Sequence, residues 1–206
     1  GLSGIIYANG LNSANSLKQE NIRAKGLDEW LCYDADGDGE PEFAAVYVRD
    51  DTLWLWRVDP GVDTRSSTFI ATGEDINGDG VWDGTGQIRL GEDFDGDGMA
   101  ELFVSVDCGY DLRPRALHLV NGATGQTEWR YDVSSGVTWV DVFPYSEGRR
   151  IGVALASRGN DVSANGMDDS HTYVLMLDSL GQRLWWRELG GKFFPAQAIT
   201  YDIGHD

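Results

Sequence analysis

Three stretches of nine residues carry the side chains best suited to metal chemistry. They span residues 34–42, 75–83 and 93–101, and each follows the pattern D-x-[DN]-G-D-G-x-x-[DE]. Short oxygen-bearing side chains occupy alternate positions, and the glycines tolerate the positive φ angles of a tight turn. Ca²⁺ binds six to eight oxygens at about 2.3–2.6 Å, whereas carboxylates this close repel one another without a cation. The pattern therefore predicts three metal-binding loops, of which the middle one has the fewest carboxylates.

The EF-hand loop is the alternative with the same opening residues, but it requires a bidentate Glu at its twelfth position. In this chain the twelfth positions hold Ala45, Gly86 and Val104, which offer no side-chain ligand. Two of the loops also lead into alternating apolar segments typical of strands, Phe43 to Val48 and Leu102 to Val106, where an EF-hand continues as a helix. The ninth residue must therefore close each site, and the EF-hand is excluded.

The composition limits the classes of partner. The chain has 206 residues and a formal net charge of −18. A chain this acidic lacks the clustered Lys and Arg that bind phosphate backbones, so we expect no nucleic-acid partner. No apolar run approaches the roughly 20 residues of a membrane span, so we expect no membrane insertion. Much of the negative charge lies in the acidic loops, where bound cations would balance it.

The sequence contains none of the common catalytic motifs. It has no G-x-S-x-G, G-x-x-x-x-G-K-[ST] or H-E-x-x-H pattern. His118, His171 and His205 lie far apart, and His118 falls among apolar residues as a core histidine does. The segment 168–171 places acid and base side by side, but a catalytic array needs three side chains that converge in space. We therefore expect no catalysis, and we interpret the polar segment 158–170 as a plain loop or as part of a recognition surface.

The cysteines and the first residue bear on the compartment. Cys32 and Cys108 are the only cysteines, and they are two small buried residues or, in a secreted protein, one disulfide. The sequence starts at Gly1 rather than at Met, as expected for a processed, truncated or excised chain. Calcium sites of millimolar affinity suit the cell exterior or the periplasm. We therefore expect an exported protein, at the cell surface, in the periplasm or outside the cell.

Short strands separated by turns predict an all-β fold built from repeated units. The residues from Gly125 to Trp129 match those from Gly181 to Trp185 in spacing and type. Residues 1–27 form an irregular segment or the end of a preceding unit. Because the middle acidic loop lies so close to the third loop, we expect it to be a hairpin inserted between two units. The propeller-like repeat domain covers residues 28–206, with units at about 28–73, 86–133 and 136–190 and the start of a further unit at 195–206.

The spacing of the strands predicts the architecture of the units. Four short antiparallel strands in about 50–60 residues are typical of one blade of a β-propeller. The chain supplies about three such four-stranded sheets plus partial flanking units, which make an incomplete propeller arc. Open sheet edges and an uncovered core face invite association. We therefore expect either a piece of a longer protein or several copies that assemble.

The acidic loop followed by an apolar strand resembles the FG-GAP/VCBS repeats of integrin-α-like β-propellers. In that family the loop lies between the first two strands of a blade and holds Ca²⁺, so the resemblance implies two or three calcium ions. Glu closes two of the loops here, where the family more often has Asp. Transferred position by position, the implied ligands are Asp34, Asp36, Asp38, Glu42 and the Glu40 carbonyl; Asp75, Asn77, Asp79, Asp83 and the Val81 carbonyl; and Asp93, Asp95, Asp97, Glu101 and the Met99 carbonyl.

The resemblance also implies a function. It implies a calcium-stabilised extracellular module for binding, cell adhesion or assembly, whose partners are a protein, a glycan or copies of itself. One alternative is part of a calcium-dependent polysaccharide-degrading propeller enzyme similar to rhamnogalacturonan lyases. Such an enzyme needs basic and acid–base side chains that converge on one face, and the candidates are Arg113, Arg115 and His171. A self-assembling structural subunit is the other alternative.

Overall fold

Strands alone build the described part of the chain. The computed structural model describes residues 27–191 except for 60–63, 76, 77, 79, 81, 110, 111, 146, 147 and 160. Within these residues there are 14 strands and no helix, which confirms the prediction of an all-β fold. The described residues therefore include no helix that is long and apolar enough to span a membrane. The predictions for residues 1–26 and 195–206 lie outside the described part.

Most of the strands form three four-stranded antiparallel sheets, and none of these sheets closes into a barrel. Sheet 1 contains β1 (Leu27–Tyr33), β2 (Glu42–Arg49), β3 (Thr52–Asp59) and β4 (Thr64–Thr72). Sheet 2 contains β5 (Gly84–Leu90), β6 (Leu102–Cys108), β7 (Ala116–Val120) and β8 (Thr127–Asp132). Sheet 3 contains β9 (Gly136–Tyr145), β10 (Gly148–Ala156), β13 (Thr172–Asp178) and β14 (Arg183–Gly190). Between β10 and β13, a small hairpin pairs β11 (Ser163–Ala164) with β12 (Met167–Asp168).

The strands of each sheet lie side by side in sequence order, and the sheets pack against one another around two cores. The first core lies between sheets 1 and 2, and the second lies between sheets 2 and 3. In β6, Leu102 and Val104 belong to the first core, whereas Phe103 between them belongs to the second. Successive side chains of a strand point to opposite faces. The continuous apolar run of β6 therefore places sheet 2 between its two neighbours.

A tight turn of each later sheet also packs on the last strand of the sheet before it. A Cβ atom added to Gly125, in the β7–β8 turn, would lie 2.7 Å from Thr68 Oγ1 in β4. A Cβ atom added to Gly181, in the β13–β14 turn, would lie 2.6 Å from Cδ2 of Trp129 in β8. The indole N–H of Trp129 donates to the Ser179 carbonyl at 3.0 Å. Equivalent turns therefore make equivalent contacts between successive sheets.

The segment between β4 and β5 differs from the prediction. In its described residues it is a connecting loop without strand pairing, not an inserted hairpin. Trp82 in this loop is 0% exposed and lies in the first core. Its ring N–H lies 3.1 Å from Cys108 Sγ, and its backbone N–H donates to the Asp50 carbonyl at 2.8 Å. The burial of Trp82, and not the pairing of strands, thus fixes this loop against the first core.

The polar segment 158–170 is more ordered than a plain loop. It contains the β11–β12 hairpin, in which Met167 is 1% exposed. Asp169 accepts a hydrogen bond from Arg115 Nη1 at 2.9 Å, and both side chains are fully buried. Because this ion pair joins the segment to sheet 2, the segment belongs to the packed structure.

The two cysteines do not form a disulfide. Both thiols are free, with Cys32 exposed on β1 and Cys108 buried at the end of β6. The prediction of small buried residues is therefore correct for Cys108 and wrong for Cys32. The side chain of Cys32 lies opposite Phe43 on the outer face of sheet 1, and this face is not covered by another described sheet.

Candidate metal centre

The third acidic loop, residues 93–101, connects β5 to β6 and is shaped by its own backbone hydrogen bonds. Asp93 accepts hydrogen bonds from the N–H groups of Gly96 at 2.6 Å and Gly98 at 3.1 Å. Both glycines have positive φ angles, +81° and +92°, which L side chains rarely adopt. Asp95 and Asp97 each accept from the backbone N–H two residues later, at 2.9 and 2.8 Å. These backbone hydrogen bonds within the loop therefore turn its carboxylates toward one another.

Glu101 closes this loop from a buried position. Its side chain is 0% exposed, and its Oε2 accepts a hydrogen bond from the Phe94 N–H at 2.5 Å. Its Oε1 is also buried and has no hydrogen-bond partner among the residues that the structure describes. One oxygen from each of the four predicted side-chain ligands of this loop lies within 4.8 Å of the others. Because an unpaired buried carboxylate oxygen is costly, the arrangement fits a cation that this oxygen would bind.

The electrostatics of the third loop also favour a cation. Burial raises the pKa of Glu101 to about 7, and the nearby acids Glu128, Asp95 and Asp97 add to this effect against the hydrogen bond from Phe94. A raised carboxyl pKa means that the negative form is disfavoured in the folded chain. A divalent cation would reverse that preference, and its binding would release a proton.

The first acidic loop, residues 34–42, connects β1 to β2 and repeats this arrangement. Asp34 accepts hydrogen bonds from Gly37 and Gly39 at 2.8 and 3.1 Å. Glu42 is 4% exposed and accepts a hydrogen bond from the Ala35 N–H through Oε2. Its Oε1 is buried and unpaired within the described part of the chain, and burial raises the pKa of this carboxyl group. Glu42 thus closes the first loop in the same way that Glu101 closes the third loop.

The first loop gathers fewer of its predicted ligands than the third. Oxygens of Asp34, Asp36 and Glu42 lie within 4.8 Å of one another, and Asp38 is not part of that group. Asp38 Oδ1 accepts from the Glu40 N–H at 2.7 Å. In the third loop Met99, at the position of Glu40, makes the same hydrogen bond to Asp97. The predicted backbone carbonyl ligands, Glu40 and Met99, stay predictions.

The middle acidic loop is described only in part. Asp75 accepts hydrogen bonds from Gly78 at 2.8 Å and Gly80 at 2.7 Å, as the first residue of the other loops does. The Asp83 N–H donates to the Glu74 carbonyl at 3.1 Å, which joins the two ends of the loop. The predicted ligands Asn77, Asp79 and Val81 lie outside the described residues. A metal site in this loop therefore stays a prediction.

One residue beside the third loop, Asn121, was not predicted to take part in the site. Asn121 Nδ2 lies 2.9 Å from Asp95 Oδ2, 3.2 Å from Asp97 Oδ2 and 3.2 Å from Glu128 Oε1. Asn121 Oδ1 accepts from the Thr124 N–H at 2.7 Å, which fixes the orientation of the amide. The sequence marks residues 121–125 as a turn but gives no signal that this turn meets a loop more than 20 residues earlier. Asn121 thus supports the two central carboxylates of the loop.

The third loop also contacts both neighbouring sheets. The Ala100 N–H donates to the carbonyl of Ala35, in the first loop, at 3.2 Å. Arg149 of β10 donates to the Asp93 carbonyl at 2.7 Å and forms an ion pair with Glu92. The order of the third loop therefore bears on the packing of all three sheets.

The side chains considered for catalysis do not form an array. Arg115 is fully buried in its ion pair with Asp169, so it cannot contact a polysaccharide. His171 Nδ1 lies 3.0 Å from Asp168 Oδ1, and its Nε2 lies 3.6 Å from Glu188 Oε1, which places it between two exposed acids rather than beside a nucleophile. Arg113 makes a long hydrogen bond of 3.4 Å to the Ser163 carbonyl. His205 lies outside the described residues.

Comparison of the sequence with protein-family models and with curated proteins found no match. The resemblance of the acidic loops to calcium-binding repeats therefore stays a prediction. The two closing glutamates, Glu42 and Glu101, are the features of the structure that point to a bound ligand.

Proposed function

We propose that the chain is a calcium-stabilised, propeller-type module that binds a partner and performs no catalysis. The observation that carries this proposal is the closure of the third loop by Glu101, a buried carboxylate with one unpaired oxygen among acidic side chains. Glu42 closes the first loop in the same way. Two loops with the same unusual arrangement support a shared ligand rather than an accident of packing.

The chemistry of the donors favours Ca²⁺ over other metals. The grouped side chains of both loops offer carboxylate oxygens alone. Zn²⁺ and other transition metals prefer sites that contain His or Cys, and Mg²⁺ is seldom bound by a cage made of protein oxygens alone. A flexible loop with many oxygens suits the larger ion. We also propose an exported location, because calcium outside the cell is abundant enough to fill sites of low affinity.

Calcium would act here as a structural ligand. An ion that binds the folded chain alone stabilises it by RT ln(1 + [L]/Kd). Since the third loop contacts the first loop through Ala100 and sheet 3 through Arg149, an ordered third loop favours the alignment of all three sheets. The rigid face that results would bind a protein, a glycan or another copy of the chain.

The propeller architecture is part of the proposal. Three successive four-stranded antiparallel sheets, each with its strands in sequence order, support it. The two shared cores and the repeated turn contacts support it further, because blades of a propeller pack in this way.

The test is thermal unfolding and calorimetric titration of the full chain. We expect calcium to raise the melting temperature of chelator-treated protein and to bind with a measurable heat. The double variant Asp34→Asn with Asp93→Asn replaces the first carboxylate of both loops with a neutral amide and should lose most of the rise. Asp161→Asn is the matched control, because this exposed acid lies outside the loops and Asn tolerates its positive φ of 60°. A wild-type protein that has the same melting temperature in chelator as in calcium contradicts the proposal.

A further inference from the structure

Sheet 1 presents an aromatic face that no other described sheet covers. We call it the leading face, formed by Trp30, Phe43, Trp54, Trp56 and Phe69. Trp30 and Trp56 lie in one row across the sheet, and Trp54 pairs with Phe69 in another. Trp30 is 59% exposed and Phe69 is 51% exposed. Trp30 stacks on Phe43 with 5.8 Å between ring centroids, so the rings form a continuous surface.

The corresponding face of sheet 2 is buried against another sheet. Counted from the closing glutamate of each loop, Phe43 and Ala45 correspond to Leu102 and Val104. Both of the latter are 0% exposed and lie in the first core, against sheet 1. The leading face of sheet 1 is thus equivalent in position to the face of sheet 2 that packs on sheet 1. Both faces are apolar, but the face of sheet 2 is buried.

At the other end of the row of sheets, the side of sheet 3 that points away from sheet 2 also has no described sheet against it. This trailing face contains Trp139, Phe143, Gly152, Met176 and Trp185. Gly152 pairs with Met176, which pairs with Trp185. A Cβ atom added to Gly152 would meet the rings of Trp139 and Phe143 at 2.9 and 3.4 Å, which places both on the same side. The neighbouring residues of β10 lie in the second core, so this side points away from sheet 2.

The internal packing shows what a trailing face receives. Trp129 of β8 packs beneath the turn at Gly181 of sheet 3, and its ring N–H bonds to the Ser179 carbonyl. Trp185 is the equivalent of Trp129 in the repeated Gly-Gln-x-x-Trp segment. Trp185 is 43% exposed. It therefore lies where a further four-stranded sheet of the same kind would seat a turn.

We propose that the leading face of one copy of this chain packs on the trailing face of a second copy, head to tail. The same chain carries both halves of a contact that it already makes twice internally, from sheet 1 to sheet 2 and from sheet 2 to sheet 3. Arg187 lies on the trailing face beside these residues, since it pairs with Val174 and thus shares a row with Trp139. A guanidinium group there suits the aromatic rings of the leading face.

A contact between two different faces is heterologous, and it has a consequence that a contact of one face with itself lacks. The resulting dimer still has one open leading face and one open trailing face, so association continues until a ring closes or a chain of copies grows. Blocking the leading face and blocking the trailing face in separate proteins leaves one productive pairing between them. The contact includes no residue of an acidic loop, and it rests on the proposed function in naming a second copy of the chain as the partner.

The experiment is sedimentation velocity on the full chain, in calcium, over a wide range of concentration. We expect the wild-type protein to associate as its concentration rises. Trp30→Glu and Trp185→Glu should each weaken this association by at least about tenfold, because buried interface Trp residues contribute strongly. Both side chains are exposed, so circular dichroism should show a retained fold. A mixture of the two variants should form a dimer and nothing larger.

Three results overturn the proposal. A wild-type protein that is a monomer at every concentration means that the two faces are covered by the chain itself or meet a different protein. Association of Trp185→Glu at wild-type strength means that the leading face pairs with itself or that other surfaces are used. A mixture of the variants that stays monomeric excludes the head-to-tail contact. Calcium titration of the same samples tests the proposed function separately.

Discussion

A closing glutamate is the residue on which each candidate site depends. Glu101 and Glu42 each use one oxygen to hold the backbone of their own loop, through Phe94 and Ala35, and keep the other for the ligand group. The sequence predicted their role from the ninth position alone. It could not predict their burial, which depends on the strands that follow the loops and on the sheets packed beside them.

The substitution Glu101→Gln separates the two effects of this buried carboxylate. The amide lacks the negative charge that binds a cation, so the calcium-dependent rise in melting temperature should shrink. In chelator the same change removes an unpaired buried charge, so we expect the variant to be more stable than the wild type by about 1 kcal/mol. Differential scanning calorimetry with and without calcium measures both effects.

The control for this change is Glu40→Gln, because Glu40 is exposed and its predicted ligand is a backbone carbonyl. We expect Glu40→Gln to change the stability in chelator by no more than a few tenths of a kcal/mol. The calcium-dependent rise in melting temperature should stay the same. A loss of stability in chelator for Glu101→Gln would show that the charge is paired and would contradict the site geometry.

His118 is a second residue whose role is fixed by burial. It lies in β7, is 2% exposed, and has no hydrogen-bond partner for either ring nitrogen among the described residues. Burial, with a smaller contribution from Arg130, lowers its pKa to about 4. The prediction that His118 is a core histidine is therefore confirmed by its position. Its charged form is excluded from the first core.

The lowered pKa of His118 predicts a loss of stability in acid. The unfolded chain binds a proton near pH 6.5 and the folded chain only near pH 4, so the free energy of unfolding falls as the pH decreases through this window. Between about pH 7 and pH 5.5 the loss from this residue is about 1 kcal/mol. His118→Leu should remove that part of the pH dependence in urea unfolding measured in chelator.

The matched control for the acid effect is His171→Gln, which changes a histidine on the surface. It should leave the pH dependence from the first core in place. An unchanged slope in His118→Leu would mean that His118 is protonated without cost in the folded chain.

At the scale of elements, the turns decide how successive sheets meet. Gly181 has a φ of +73° and faces Trp129, so Gly181→Ala adds both backbone strain and an overlap with the indole ring. Gly166 has a φ of +77° and nothing within 4 Å of an added Cβ, so Gly166→Ala adds the strain alone. We expect Gly181→Ala to destabilise the chain by about 1–2 kcal/mol more than Gly166→Ala, as urea unfolding would show. Equal losses would mean that the turn does not pack on Trp129.

The strands were largely predictable, and the connections were not. Alternating and continuous apolar residues indicated β2 and β6, because both faces of these strands are largely buried and therefore need apolar side chains. The loop that contains Trp82 was predicted to be a hairpin, because its spacing from the next loop was visible and the buried position of its tryptophan was not. The β11–β12 hairpin was missed because each strand has two residues, too few for any periodicity. The contacts of Asn121 were missed because turn chemistry says nothing about what a turn approaches.

At the scale of the molecule, the net charge of −18 opposes the folded state. Much of that charge lies in the acidic loops, where carboxylates are held close together. In chelator we expect about 0.5 M sodium chloride to raise the melting temperature, because salt screens the repulsion between exposed charges. With calcium bound the same salt should have a smaller effect. An equal rise in both conditions would mean that the loops are not where the repulsion lies.

Among the described residues, the three four-stranded sheets could be predicted from the sequence, because each needs its own set of turns and strands. Their arrangement could be predicted only as far as a continuous apolar strand requires cover on both faces, as β6 does. How sheets 1 and 3 use their outer faces follows from the structure, where register shows which aromatic side chains share a side. Aromatic residues in the sequence did not reveal this, because adjacent tryptophans such as Trp185 and Trp186 point to opposite faces.

The two thiols make the separation of sheets 1 and 2 directly measurable. Cys32 is open to reagents, while Cys108 is 0% exposed, beside Trp82, with a pKa raised to about 11 by burial. In a Cys32→Ser chain, alkylation can proceed only when the first core parts, since a protonated and enclosed thiol does not react. The labelling rate of the Cys108 thiol therefore reports how often sheets 1 and 2 separate through local unfolding.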